Sequence, residues 1–353
     1  MSALFRYFLF ACGMLIAIPL ILLLWFLPTT PVSPAGIIYL FSYFLIVVGL
    51  LIAPWRSSLS SAFLLAGSTL AIITVGIRIF LPPSGTRVNL ITLPGQARPR
   101  LLNRIFNEQD IVLFGAQAAP YMGAVSPSEK KSLDTKFSET FEEMKLQEVT
   151  ALSPFLTTYL NLQSPQRFDA VIAEPRPGTS PRAGIVFLHG FGGNFTLQCW
   201  LVAATGDQID AITVCPSTGP SGNWWNSQGQ SILQETLSYL RQRGVERIFL
   251  AGLSNGGIGA SRLAEQLQQD IVGLILISGA DPNAAITELP VLLLHGKYDE
   301  RIPVSVMEQY ASAAGSSATY HLFEGDHFLL LKEADQVQKA MIDWLRQQEL
   351  NSQ

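Results

Sequence analysis

Arg247-Ile248-Phe249-Leu250-Ala251-Gly252-Leu253-Ser254-Asn255-Gly256-Gly257-Ile258 is the stretch that decides the fold. An apolar run of strand character passes into a glycine-rich turn, and an amphipathic helical pattern follows over 256–268. Gly252 and Gly256 stand two residues to either side of Ser254, a G-x-S-x-G spacing. In a strand–turn–helix context this turn is tight and holds the serine in a strained backbone conformation, and larger side chains at the flanking glycines would collide. The hydroxyl of Ser254 is then expected at the C-terminal edge of the strand and at a helix N-terminus, which favours developing negative charge. Those are the needs of a nucleophilic serine. The pentapeptide taken alone is also compatible with a turn that merely caps a helix.

Outward from this stretch, short apolar runs alternate with amphipathic segments from Phe168 to the C-terminus. The strands expected are 169–174, 184–188, 211–215, 247–253, 272–278, 290–294 and 319–323. Helical stretches are expected near 195–206, 227–243, 256–268, 304–314 and 333–348. The runs are nearly continuous in Val, Ile and Leu, as in parallel strands covered on both faces. Alternation of this kind predicts an α/β class with a doubly wound, mostly parallel sheet. The sequence shows no internal repeat.

A nucleophilic serine needs donors for an oxyanion and a base held by an acid. The strand 184–188 ends in His189-Gly190-Phe191-Gly192-Gly193. Its small residues, Gly190 first, let backbone approach a substrate, and free amides there are able to face an oxyanion. The backbone N–H groups of Phe191 and Asn255 are the expected pair. His189 is read as structural. After Ser254, the strand 290–294 is followed by His295-Gly296-Lys297-Tyr298-Asp299-Glu300, and the strand 319–323 by Glu324-Gly325-Asp326-His327-Phe328. The expected catalytic residues are Ser254 as nucleophile, His327 as general base then acid, and Asp299 as the carboxylate that holds the His327 tautomer. Glu300 and Asp326 compete with Asp299 for that role. His295 and His321 are read as structural.

With these motifs in order, residues 168–353 resemble the α/β-hydrolase superfamily, and Gly252-Leu253-Ser254-Asn255-Gly256-Gly257 resembles the elbow of small esterases and polyester-depolymerase-like members. The resemblance implies the hydrolase fold but is poor for substrate, since that fold hosts esterases, thioesterases, lipases, peptidases and non-catalytic relatives. Many lipases of the superfamily carry a lid after the strand equivalent to 272–278; here only Gly279 to Leu289 lie before the next strand, which leaves no room for a lid domain. The tandem Trp224 and Trp225 fall in the loop after strand 211–215, on the side of the site. They are expected either to wall a substrate pocket or to anchor the loop on the core.

The rest of the chain has a different composition. Only 14% of the 353 residues are charged, against about 25% in soluble proteins. Residues 1–83 hold Arg6, Arg56 and Arg78 and no acidic residue, and 49 uncharged residues run from Tyr7 to Trp55. About 20 apolar residues cross a bilayer as a helix, so spans are expected near 7–27, 36–54 and 59–81, broken by Pro28-Thr29-Thr30-Pro31-Val32-Ser33-Pro34. A cleaved signal peptide over 1–27 is the competing reading, opposed by the two spans that follow. Integral, multi-pass membrane localisation is therefore expected. The positive-inside rule gives conflicting counts, with Arg6 and Arg56 set against Arg87, Arg98, Arg100 and Arg104. The uncharged first loop favours a hydrolase domain outside the cytoplasm.

Residues 84–165 read as a helical connector placed to cover the active site or to pack on the domain, with the hydrolase domain at 166–353. Its apolar clusters 101–106 and 111–114 suit a helix on the bilayer surface or one packed on the domain, the latter being preferred; 126–148 reads as a solvated helix. The acidic balance beyond residue 83, 20 basic against 27 acidic side chains, argues against a nucleic-acid partner. No metal-ligand spacing joins the four His, and no cofactor is implied. Cys199 and Cys215 form either a disulfide or two buried thiols. The function expected is hydrolysis of a carboxylic ester, small-molecule or lipid, by a serine enzyme held at a lipid bilayer. A peptidase, a thioesterase or an idle hydrolase fold used for partner binding are the alternatives.

Overall fold

The computed structural model describes residues 3–81, 88–95, 97–123, 125–147, 149, 152–176 and 180–350. Backbone packing divides them into two compact units, one within Met1–Pro83 and Arg104–Glu139, the other within Ser84–Asn103 and Thr140–Gln353.

The first unit is helical. Helices α1 (Ala3–Phe26), α2 (Pro34–Ile52) and α3 (Ser57–Phe80) are long and apolar enough to cross a membrane. All three begin earlier than the sequence suggests. Pro34, expected in the break, opens α2 behind an Ser33 N-cap whose hydroxyl accepts from the Gly36 amide; proline suits a first helical position because its missing N–H needs no partner there. Small residues bring the helices together: a side chain on Gly13 would meet Leu50, and one on Gly49 would meet Leu64. Ser60 donates to the Gly49 carbonyl at 2.7 Å and Tyr43 to that of Ile16 at 2.5 Å. Such polar stitching and close approach are how helices associate in lipid. Helix α4 (Glu108–Ala118) and the first part of α5 (Pro127–Leu146) complete the unit.

The second unit is an eight-stranded sheet. Its strands are β1 (Val88–Leu93), β2 (Phe168–Ala173), β3 (Ala183–Leu188), β4 (Ala211–Pro216), β5 (Arg247–Leu253), β6 (Gly273–Ile277), β7 (Val291–Gly296) and β8 (Ala318–Phe323). The order is β1-β2-β4-β3-β5-β6-β7-β8, with β1/β2 and β2/β4 antiparallel and all later pairs parallel. The seven strands expected from the sequence are present within one or two residues. Strand β1 lies in what reads as connector; its six residues pair along the whole of β2. Residues 84–165 therefore do not form one body: 84–103 and 140–165 belong with the sheet, and 104–139 with the helical unit.

Short α6 (Phe155–Tyr159) precedes β2, and α7 (Thr196–Gly206), α8 (Ser227–Gln242), α9 (Asn255–Leu267), α10 (Val304–Ala314), α11 (Leu329–Lys332) and α12 (Ala334–Leu350) follow among the strands. Both faces of the sheet are covered. On β5, Ile248 and Leu250 join Leu233, Leu237 and Leu263 of α8 and α9 in one core. Phe249, between them in sequence, meets Trp344 of α12 on the other face, ring centroids 5.8 Å apart. Both faces being dry is why these strands read as unbroken apolar runs.

Cys199 of α7 and Cys215 of β4 are joined by a disulfide across 16 residues. Closing a loop of that size is worth about 3 kcal/mol through the unfolded chain. Cys199→Ser with Cys215→Ser is expected to lower the unfolding free energy of the sheet unit by about 3 kcal/mol, measured as a fall of the denaturation midpoint with a somewhat steeper slope, because the unlinked unfolded chain exposes more surface.

Candidate active site

The turn after β5 is shaped by contacts that only glycine permits. A Cβ on Gly252 would fall on Gly256, one on Gly256 on the Leu188 carbonyl, and one on Gly257 on the Gly279 carbonyl. The elbow is thus wedged between the ends of β3 and β6. Ser254 sits at φ 54°, ψ −119°, a region that side chains other than glycine enter only under strain. Its amide donates to the Ile277 carbonyl at 2.8 Å, and its carbonyl accepts from the Ile258 amide, so the strain is held from both sides. Gly256→Ala is expected to destabilise the sheet unit by about 3 kcal/mol, because the obstacle is backbone and cannot rotate away. Thermal unfolding beside wild type checks this.

Three loops converge on the Ser254 hydroxyl. His327, beyond β8, has Nε2 3.0 Å from Ser254 Oγ and Nδ1 2.7 Å from Asp299 Oδ2. Asp299 lies beyond β7, its side chain fully buried. Its other oxygen accepts from the amides of Arg301 and Ile302, each at 2.9 Å. Burial pushes the Asp299 carboxyl up, but the His327 bond and charge and these two amides outweigh it and hold the carboxyl below its ordinary value. An ionised Asp299 accepts a hydrogen bond from the Nδ1–H of His327, which leaves Nε2 as the acceptor facing the serine.

The competing carboxylates are placed elsewhere. Asp326 caps the following turn through the Phe328 amide and pairs with Lys332 at 2.6 Å. Glu300 is exposed. His295 is fully buried, and its Nε2 donates to the Ile302 carbonyl at 3.0 Å, closing the loop that carries Asp299. Burial, foremost, lowers its basicity. His321 lies on the exposed strand β8.

The glycine loop after β3 packs against the elbow. A side chain on Gly190 would meet the Leu253 carbonyl at 2.9 Å and Ser254 Cβ at 3.1 Å, so this loop lies directly against the serine turn. Among the described residues no protein acceptor takes the amide of Phe191 or of Asn255. The Phe191 ring is 77% exposed. His189 points away from the site. It donates from Nδ1 to the Gly190 carbonyl at 2.8 Å, and its Nε2 accepts from the Thr218 amide at 3.3 Å. Complete burial pulls its pKa down to about 4, so it stays neutral and structural.

The two tryptophans part ways. Trp224 is fully buried; its indole N–H donates to the His189 carbonyl at 2.9 Å, and its ring packs against Gly259. Trp224 is therefore a loop anchor and not a substrate wall, because no face of its ring is open. Trp225 is partly exposed, with the Arg262 guanidinium 4.7 Å from its ring centroid. Two further supports gave no sequence signal. The Asn255 side chain donates to the Ser221 carbonyl at 2.8 Å, tying the elbow to the tryptophan loop. Thr158 of α6 lies 3.3 Å from where a Gly193 Cβ would stand, buttressing the glycine loop. Among the described residues, no three His, Cys, Asp or Glu side chains are grouped to hold a metal ion.

No family model matches the sequence, and no curated protein does. Solved structures do. Est1E from Butyrivibrio proteoclasticus is 16% identical, with a TM-score of 0.45 over 52% of this chain and 95% of that one. An alpha-beta serine hydrolase homologue from Coxiella burnetii is 17% identical, with a TM-score of 0.44 over 51% and 92%. A serine hydrolase without lid from Xanthomonas campestris is 16% identical, with a TM-score of 0.40 over 51% and 90%. The mostly parallel eight-stranded sheet covered on both faces, with a strained serine turn after β5, gives β1 together with residues 168–350 the α/β-hydrolase fold, preceded in this chain by three apolar helices.

Proposed function

We propose that the protein is a membrane-anchored serine hydrolase that cleaves carboxylic esters through an acyl-enzyme. The observation that carries this is His327, hydrogen-bonded at once to Ser254 Oγ and to the buried Asp299. Ser254 attacks the acyl carbonyl as His327 takes its proton at Nε2. The tetrahedral oxyanion is met by the amides of Phe191 and Asn255, which have no other acceptor to give up. His327 returns the proton to the leaving alkoxide, and the acyl group stays on Ser254. Water, deprotonated by the same imidazole, then releases the acid. The exposed Phe191 ring suits an apolar acyl group.

The helices α1–α3 anchor the enzyme in a bilayer. The Cys199–Cys215 disulfide supports a hydrolase unit outside the cytoplasm, since such bonds persist in oxidising compartments. With three spans this reading has the N-terminus, Arg6 and Arg56 inside and Arg87, Arg98, Arg100 and Arg104 outside, so it rests on the disulfide and not on the positive-inside rule.

The test is labelling of the detergent-solubilised full chain with a fluorophosphonate probe, followed by peptide mapping. One adduct, on Ser254, is expected, together with hydrolysis of 4-nitrophenyl acyl esters. A folded wild-type protein that takes no label would overturn the proposal in favour of an idle fold.

A further inference from the structure

Helix α4 is inside out for a helix in water. Three of its four buried residues are polar, Glu108, Gln109 and Gln117 beside Leu113, whereas Ile111, Phe114 and Ala118, which form one stripe, are partly exposed. A helix at an aqueous surface shows the opposite pattern. The turn that follows continues the trend: Tyr121 is 77% exposed and Met122 72%.

The attachments of this segment fix its level. The Asp110 carboxylate accepts from the Ser33 amide at 2.8 Å and the Ser33 hydroxyl at 2.6 Å, at the start of α2. The Tyr121 ring lies 5.9 Å from that of Phe26, at the end of α1. Arg78, near the end of α3, donates to the carbonyls of Arg104 at 3.0 Å and Phe106 at 3.2 Å, and Arg104 donates back to that of Ile79 at 2.9 Å. Tyr39 donates to the Ile105 carbonyl at 3.1 Å. All these points belong to the same end of the three helices. Three successive carbonyls at the end of a 3₁₀ turn, those of residues 104–106, which no regular helix takes up, are thus met by side chains of the helices. Water would satisfy them without help; in lipid such groups must find protein partners.

We infer that residues 105–122 lie at the boundary of acyl chains and headgroups, with Ile111, Phe114, Tyr121 and Met122 against lipid. The occupant of this apolar face is the bilayer itself, because the face continues the lipid-facing surface of α1, where Trp25 is 74% exposed. The inference rests on the three helices spanning a membrane and is independent of the chemistry at Ser254.

The test uses the full chain carrying Cys12→Ser, which removes the free cysteine and leaves the Cys199–Cys215 bond intact. Single cysteines replace Phe114, Met122, Ile72 in α3 and Thr135 in α5, and each is spin-labelled in phosphatidylcholine vesicles. Collision with oxygen is compared with collision with a water-soluble nickel chelate. Labels at 114 and 122 are expected to favour oxygen, at a shallower depth than the label at 72, with the preference reversed at 135. Met122 is so exposed that its replacement disturbs little packing, so that site remains informative if Phe114→Cys does not reconstitute. Labels at 114 and 122 that behave like 135, or that are closed to both reagents by a protein partner, overturn the inference. A label at 72 that meets the chelate freely instead refutes the membrane reading itself.

Discussion

Ser254→Ala is expected to leave a folded protein that takes no fluorophosphonate label and has lost ester hydrolysis by a factor on the order of 10⁶. The magnitude follows from the unit the three residues form. Without the hydroxyl, His327 and Asp299 have no nucleophile to activate, and only the two amides and substrate binding remain. Stability should change little, because alanine at φ 54° meets the same strain and the turn is held by backbone bonds and flanking glycines. Equal unfolding midpoints with lost turnover would separate chemistry from folding. Retained turnover in a pure preparation would refute the assignment of Ser254.

Asp299→Asn is expected to lower kcat by about 10⁴ with a modest change in KM, since the amide holds His327 in the wrong tautomer. It carries a second signature. The Asp299 carboxyl is held below its ordinary value of 3.8, so it binds protons more readily unfolded than folded. Its contribution to stability is whole above that value and is lost as the pH falls through the lower folded value. Wild type should therefore lose this component of stability in acid, and Asp299→Asn should lack it at every pH. Denaturation series between neutral pH and pH 3 check the difference.

The fold was legible because its strands are dry on both faces, and the candidate site could be picked out because each of its side chains stands just past a strand end. Gly252 and Gly256 identified the elbow, and chain order set Asp299 and His327 after it. What stayed hidden was decided by partners distant in sequence. The six residues Val88–Leu93 become a strand only by pairing with Phe168–Ala173. Nothing local distinguishes Trp224, buried under His189, from its neighbour Trp225. Asp326 is as close to His327 as a residue can be in sequence, yet Lys332 and the Phe328 amide take its carboxylate. Segment 111–114 reads in the sequence more as a domain-packed helix than as one on the bilayer surface, until Asp110 is seen on Ser33.

The chain passes between its two units three times, near residues 83, 103 and 139. Strand β1 is delivered on the first passage and the rest of the sheet on the third. One proteolytic nick near 139 would leave β1 covalently on the piece with the three apolar helices, and release of the other piece would strip β2 of its outer neighbour. The sheet could not be freed from those helices by a single cleavage there without uncovering the β2 edge, and a fragment begun at residue 166 would start with the same exposed edge.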